Sequence, residues 1–206
     1  MKKLAILGAG GHGRVIADVA ELLGWDSIVF FDDDPRVSVI DDWICSGSFQ
    51  ELIKSISSFD GVAVGVGSNS TRASLFAKLA DVSAPLVSLV HPKASVSSRA
   101  KIGRGTVVLA GAVVNTGATL GEGCIVNTSS SIDHDCRVGS FVHISPGAAL
   151  AGDVVLGSQV WIGLGASVVQ GISVDSGTCV GAGAVVISNL PAHVTAVGVP
   201  ARILQG

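Results

Sequence analysis

The residues best suited to acid–base chemistry are His134 and the aspartates on either side of it. The segment reads Ile132-Asp133-His134-Asp135-Cys136. A carboxylate that accepts a hydrogen bond from one imidazole nitrogen fixes the tautomer and raises the basicity of the other nitrogen. The pattern therefore predicts His134 as a general base, oriented by Asp135 or Asp133. A solvated polar corner without chemistry is the alternative.

A second group is suited to binding phosphate. Gly8-Ala9-Gly10-Gly11-His12-Gly13 lies between an apolar run and a segment with helical periodicity, a pattern typical of a turn that binds a diphosphate at a helix N-terminus. Asp32, at the end of the next predicted strand, is placed for a ribose hydroxyl. The region is too short for two mononucleotide halves, which favours one nucleoside diphosphate over a dinucleotide. A tight strand–helix turn without a ligand is the alternative.

A repeat of six residues must position His134. Every sixth residue from Val96 to Val186 is aliphatic, without a skipped step, and such a period is typical of a stacked β-solenoid. Three repeats make one coil of eighteen residues, so Gly152 is predicted one coil beyond His134, about 4.8 Å away. The Gly152 N–H is there a candidate donor to an oxyanion formed beside the base.

The second histidine of the repeat region, His143, lies nine residues after His134. This is half a coil, so we expect that the two histidines do not meet within one chain. A site that uses both would lie between neighbouring solenoids and would require an oligomer. Two histidines provide no third ligand for zinc, and we predict no metal.

Residues 1–92 show strands alternating with helices, which indicates a small parallel sheet. The predicted fold is an α/β Rossmann-like βαβαβ domain over 1–92, followed over 93–206 by a left-handed parallel β-helix with a short C-terminal tail. The handedness rests on resemblance to hexapeptide-repeat proteins. A net charge of −3 gives no reason to expect nucleic acid or a membrane as a partner. With no signal-peptide core and no apolar run of bilayer length, we expect a cytoplasmic protein.

Over nearly its whole length the sequence resembles the bacterial sugar O-acyltransferase family. That family includes sialic acid O-acetyltransferases and N-acetyltransferases of nucleotide-linked 4-amino sugars. The matching residues are Gly8-Ala9-Gly10-Gly11-His12-Gly13, Gly67-x-Asn69-x-x-Arg72, Asn127, Asp133-His134-Asp135, His143-Ile144-Ser145-Pro146-Gly147, Trp161-Ile162-Gly163-x-Gly165-Ala166, Gly181-Ala182-Gly183-Ala184 and Gly198-Val199-Pro200-Ala201-Arg202.

The resemblance implies a homotrimer with acetyl-CoA in the groove between adjacent solenoids. His134 would be the base and Asp135 its orienting partner. Acetyl-CoA would contact His143 and the backbone around Gly152, Leu164 and Ala182. The residues expected to bind the nucleotide sugar are Gly10, Gly11, His12, Asp32, Asp33, Gly67, Asn69 and Asn127.

The leading hypothesis is direct acetyl transfer from acetyl-CoA to the 4-amino group of a UDP- or dTDP-linked 4-amino-4,6-dideoxy sugar, in the synthesis of a surface glycan or glycoprotein sugar. O-acetylation of sialic acid or of another glycan sugar is the alternative, with the same base and a different acceptor. A non-catalytic trimeric nucleotide-binding scaffold is a third hypothesis. It would explain the glycine-rich turn but not the carboxylates around His134.

Overall fold

The computed structural model describes residues 1–204 and consists of two compact units, of which one ends at Pro92 and the other begins at Lys93. Each is described by itself below. Within residues 1–204, no helix combines the length and the apolar character that crossing a membrane requires.

The N-terminal unit is a small sheet with three helices. Its elements are β1 (Lys3–Leu7), α1 (Gly11–Leu22), β2 (Ser27–Phe31), β3 (Val39–Ile40), β4 (Trp43–Cys45), α2 (Phe49–Ser55), a 3₁₀ turn (Ile56–Ser58), β5 (Gly61–Val64), α3 (Asn69–Asp81) and β6 (Leu89–Val90). The sheet order is β3-β4-β2-β1-β5, with β1, β2, β4 and β5 parallel and β3 antiparallel to β4. The predicted Rossmann-like arrangement is confirmed.

The central strand β1 explains why this unit folds as it does. Apart from Lys3, all of its residues are buried, as expected for a parallel strand with both faces covered. Two features differ from the sequence-based expectation. The β3–β4 hairpin was not predicted, and α1 begins at Gly11, inside the glycine-rich run and not after it, with Gly10 as its N-cap.

The C-terminal unit begins with sixteen strands of two residues each, evenly spaced along the chain. They are β7 (Ser95–Val96), β8 (Lys101–Ile102), β9 (Val107–Val108), β10 (Val113–Val114), β11 (Thr119–Leu120), β12 (Ile125–Val126), β13 (Ser131–Ile132), β14 (Arg137–Val138), β15 (His143–Ile144), β16 (Ala149–Leu150), β17 (Val155–Leu156), β18 (Trp161–Ile162), β19 (Ser167–Val168), β20 (Ser173–Val174), β21 (Cys179–Val180) and β22 (Val185–Val186). Two further strands follow, β23 (Thr195–Val197) and β24 (Arg202–Ile203), which pair antiparallel.

The sixteen strands form three parallel faces. One face contains β7, β10, β13, β16, β19 and β22, the second β8, β11, β14, β17 and β20, and the third β9, β12, β15, β18 and β21. Each strand pairs with the strand eighteen residues later, so Ile144 lies beside Ile162 and Ile132 beside Leu150. This is the predicted left-handed parallel β-helix.

Each repeat of six residues contains one position that points into the core and one position that forms a corner of the coil. The second residue of each strand is the aliphatic one, and all of these from Val108 onward are buried. Three residues later the backbone adopts a positive φ, and this recurs at every sixth residue from Gly105 to Gly183. Non-glycine residues such as Asp135 and Asp153 occupy this conformation as well, both with φ of 59°.

The glycines that directly follow the aliphatic residue are required for close packing between coils and not for a positive φ. A Cβ at Gly121 or Gly139 would lie 2.6 Å from a backbone nitrogen of the next coil, that of Ser140 or Ser158. These positions therefore need glycine for the close approach of successive coils, whereas the positive φ belongs to a separate column of residues.

Candidate active site

His134 and Asp135 form a hydrogen-bonded pair in the turn between β13 and β14. The His134 Nδ1 lies 3.0 Å from the Asp135 Oδ2, and both side chains are more than half exposed. Because the carboxylate is an acceptor, the contact favours the tautomer with hydrogen on Nδ1, which leaves the Nε2 lone pair available to take up a proton.

The backbone of His134 is held by Asp133 and Asn115. The His134 N–H donates to the Asp133 Oδ1 at 2.8 Å, and the Asn115 Nδ2 donates to the same oxygen at 2.8 Å. Asn115 lies eighteen residues before Asp133, one coil earlier. These two hydrogen bonds, the one from His134 first, keep the pKa of Asp133 below its usual value.

The pKa of His134 lies above its ordinary value. The largest cause is the hydrogen bond that His134 donates to the Asp135 carboxylate. Desolvation lowers the pKa by less, and the charges of Asp133, Asp135 and Asp153 add to the increase. Sequence reasoning missed Asp153 and Asn115. The coil length would have found both, since Asp153 lies eighteen residues after Asp135 and Asn115 eighteen before Asp133.

Gly152 lies against the imidazole of His134, as the coil length predicted. A Cβ at Gly152 would be 2.5 Å from both the Nε2 and the Cε1 of His134, so any side chain at this position would displace the ring. The Gly152 carbonyl accepts from the Gly171 N–H at 3.0 Å. The Gly152 N–H makes no backbone hydrogen bond within residues 1–204.

His143 belongs to a different face, as expected from its spacing. It is the first residue of β15, and its Nε2 lies 3.1 Å from the Asn127 Nδ2. Its ring is parallel to that of Trp161 on the next coil, with 5.8 Å between centroids and 2° between planes. The Trp161 Nε1 donates to the buried Ser145 Oγ at 2.8 Å, while 49% of Trp161 remains exposed.

Leu164 and Ala182 lie at the corner that follows this face. The Gly183 N–H donates to the Leu164 carbonyl at 2.8 Å, and both Leu164 and Ala182 are exposed. Within one chain, Leu164 and Ala182 lie at the corner after the face that contains His143. Gly152 lies instead against the imidazole of His134. The structure thus divides the predicted acetyl-CoA residues between two surfaces, and it places Asn127 beside His143.

The glycine-rich turn in the N-terminal unit is tightly packed at its ends and open in its middle. Gly8 has φ of 105°, and a Cβ at Gly13 would overlap the Gly8 carbonyl oxygen. Side chains at Gly10 and Gly11 would meet nothing within 4 Å. Together with Gly10 as N-cap, this leaves the first turn of α1, which includes the half-buried His12, open to an anion.

Asp32 and Asp33 border this turn. The Asp32 carboxylate accepts from the backbone N–H of Ala9 at 2.7 Å and of Asp34 at 2.9 Å, and Asp33 accepts from the Phe49 N–H at 2.9 Å. Both aspartates therefore connect backbone segments. A pocket of about 130 Å³ lies here, and its lining residues are Leu7, Gly8, Asp32, Asp33, Val66 and Leu75.

The loop that contains Gly67 and Asn69 is organised by Arg72. This guanidinium is 2% exposed. It donates to the carbonyls of Val66 at 3.1 Å and Gly67 at 2.9 Å, and to the Asn69 Oδ1 at 2.8 Å. Arg72 thereby fixes the start of α3 beside β5.

Among residues 1–204 there is no group of three His, Cys, Asp or Glu side chains that could hold a metal ion.

Solved structures identify the family. The acetyltransferase domain of PglB from Neisseria gonorrhoeae FA1090 is 43% identical to this chain, covers 99% of it, is itself covered completely, and superposes with a TM-score of 0.94. The chain belongs to this sugar acetyltransferase family. The same Neisseria domain is also known in complex with acetyl coenzyme A, at 42% identity and a TM-score of 0.95, with 98% of this chain and 99% of that one covered.

Other members of the family support the assignment. The PglD N-terminal domain family matches residues 3–79. PerB from Caulobacter crescentus, solved with CoA and GDP-perosamine, is 35% identical with a TM-score of 0.94, covering 100% of this chain and 98% of PerB. UDP-N-acetylbacillosamine N-acetyltransferase of Bacillus subtilis is 38% identical over 125 residues. That match spans about half of each protein, 53% of this chain and 52% of the relative.

Proposed function

We propose that the protein is an acetyl-CoA-dependent N-acetyltransferase that acts on the 4-amino group of a UDP- or dTDP-linked 4-amino-4,6-dideoxy sugar. The observation that carries the proposal is the hydrogen bond between His134 and Asp135, with the imidazole lying over Gly152. A solenoid needs no such pair for its packing, whereas amine acetylation needs a base whose pKa lies near neutrality.

The acceptor reacts as the free amine, after its ammonium form has lost one proton to solvent. As the amine nitrogen attacks the thioester carbonyl, it gives a second proton to the His134 Nε2. The nitrogen–carbon bond forms, and the carbonyl π electrons move to oxygen, where the Gly152 N–H is the donor proposed to stabilise them. Collapse breaks the carbon–sulfur bond and releases CoA, whose sulfur is protonated from the imidazolium. Asp135 stabilises that imidazolium, and no covalent enzyme intermediate forms.

The proposed acetyl-CoA surface comprises His143, Leu164, Ala182 and the backbone at Gly152. Support comes from the relative from Neisseria, which is known with acetyl-CoA, and from the exposed Trp161 stacked on His143. His134 and His143 lie on different faces of one solenoid, so one site that uses both needs a second copy. We propose a homotrimer with sites between adjacent solenoids.

The proposed nucleotide site is the open glycine turn of the N-terminal unit. Gly10, Gly11 and His12 offer the N-terminus of α1 to a diphosphate, and Asp32 and Asp33 line the neighbouring pocket. The remaining residues of the proposed nucleotide-sugar set are Gly67, Asn69 and Asn127.

The decisive experiment replaces His134 by Ala and measures acetylation of a UDP- or dTDP-linked 4-amino sugar. We expect turnover to fall at least about 100-fold, with an unchanged melting temperature. His193→Ala is the control, because His193 is an exposed histidine of the C-terminal unit that lies beyond the repeat strands and outside the proposed site. Full turnover in His134→Ala would contradict the proposal.

The acceptor is tested separately. The proposal predicts thermal stabilisation by UDP or dTDP and a product that resists mild alkali, since an amide survives conditions that hydrolyse an ester. Stabilisation by GDP alone would contradict a UDP- or dTDP-linked acceptor and would favour a GDP-linked one. An alkali-labile product formed from free sialic acid would favour the O-acetylation alternative. Light scattering tests the trimer, and a fully active monomer would refute a site shared between copies.

A further inference from the structure

The Asp135 carboxylate occupies a space that only a glycine leaves open. Gly117, Asp135, Asp153 and Gly171 occupy equivalent positions in four successive coils, eighteen residues apart. All four have left-handed backbone conformations, with φ of 75°, 59°, 59° and 71°. This conformation favours glycine and is tolerated by aspartate, so backbone geometry alone does not distinguish these positions.

Space does distinguish them. A Cβ at Gly117 would overlap the Asp135 Oδ1, whereas a Cβ at Gly171 would meet nothing within 4 Å. The Asp135 carboxylate thus packs over the Cα of Gly117 in the preceding coil. Its other oxygen, Oδ2, lies 3.0 Å from the His134 Nδ1. His134 extends the other way, over Gly152 of the following coil.

We propose that Gly117 is a positioning residue for the base, because its missing side chain is the space that lets Asp135 reach the imidazole of His134. Two glycines then define the pair from opposite sides, Gly152 next to the ring and Gly117 next to the carboxylate. The catalytic significance of this inference rests on the proposed function, in which His134 is the base.

A methyl group at position 117 displaces Oδ1 and turns the carboxylate away from Nδ1. The charged groups that face His134 are Asp133, Asp135 and Asp153. Among their effects, the hydrogen bond that His134 donates to Asp135 raises the pKa of His134 most. Its loss leaves the other charges in place, lowers the pKa of His134 and leaves the ring less well oriented.

The test compares Gly117→Ala with Gly171→Ala. Both substitutions place alanine at a positive φ at equivalent positions of the coil, so their backbone strain is similar, but only the methyl group at position 117 would overlap another side chain. The titration of the His134 imidazole is followed by NMR, its signal assigned by its disappearance in His134→Ala. We expect a lower titration midpoint in Gly117→Ala and an unchanged one in Gly171→Ala. In Gly117→Ala, kcat/KM falls roughly 10- to 100-fold and its acid limb moves to lower pH.

Equal His134 midpoints in the two glycine variants would overturn the inference. A lowered midpoint with neither a loss of rate nor a shift of the acid limb would uphold the placement of Asp135 and refute His134 as the base, so the two failures are distinguishable. If Gly117→Ala does not fold, Gly117→Asn tests the same overlap with a residue that tolerates positive φ. In the Asp135→Ala background, Gly117→Ala is expected to change the midpoint no further.

Discussion

Replacing Gly152 by Ala is a direct test of where the His134 ring lies. The new methyl carbon would be 2.5 Å from the Nε2 and Cε1 of His134, whereas non-bonded carbon atoms pack at about 3.5–4.0 Å. The ring must therefore move by roughly 1 Å, a misplacement that costs a catalytic group about 100-fold in rate. The φ of Gly152 is not in the left-handed region, so the backbone tolerates alanine and we expect little loss of stability.

The assay is kcat/KM for acetyl transfer together with the melting temperature, for Gly152→Ala, His134→Ala and the double variant. Alanine keeps the N–H of residue 152, so the substitution reports on the ring and not on the loss of that donor. Without the imidazole the methyl group has room, and the double variant should be no slower than His134→Ala. Wild-type kcat/KM in Gly152→Ala would refute either the position of the ring or the proposed role of His134 as the base. Losses that add in the double variant would refute the contact between the two residues.

Three further predictions concern other parts of the molecule. Asp135→Asn should shift the acid limb of kcat/KM to lower pH, because removing the main cause of the raised pKa keeps His134 neutral further into acid; a shift to higher pH would contradict this. Ile162→Ala should lower the free energy of unfolding by about 3 kcal/mol in denaturant titration, since Ile162 is fully buried, whereas Ser173→Ala should change it by less than about 0.5 kcal/mol. Arg72→Met should destabilise the protein by about 3 kcal/mol by removing the partner of two carbonyls and of Asn69, with the exposed Arg99→Met as control; equal melting temperatures would contradict it.

The solenoid was predictable because one simple rule is repeated many times. Val96 and each sixth residue after it up to Val186 identify the second position of every strand from β7 to β22, and the coil length then places Gly152 at His134. The same arithmetic also relates Asp153 to Asp135 and Asn115 to Asp133. Those polar pairs were missed because the aliphatic positions alone define the repeat, and the polar residues that face outward do not recur in every repeat.

The parts that escaped prediction lack such repetition. The β3–β4 hairpin consists of strands of two and three residues joined through Asp41, whose φ is 50°. Periodicity cannot identify so short a pair. The contact of Asp32 with a ribose hydroxyl stays a prediction. What its place after β2 could not give is that its carboxylate accepts backbone hydrogen bonds from Ala9 and Asp34. Sequence position gives the location of a side chain and not the partners it has.

The uniform coil also limits how this half of the protein can change in length. Removing or adding six residues between His134 and Leu164 would rotate everything downstream by one side of the triangle, and Leu164 would follow a different face. Adding or removing eighteen residues would restore every face and change only the number of coils. Insertions and deletions in this region therefore keep the three faces in register only when they comprise whole coils of eighteen residues.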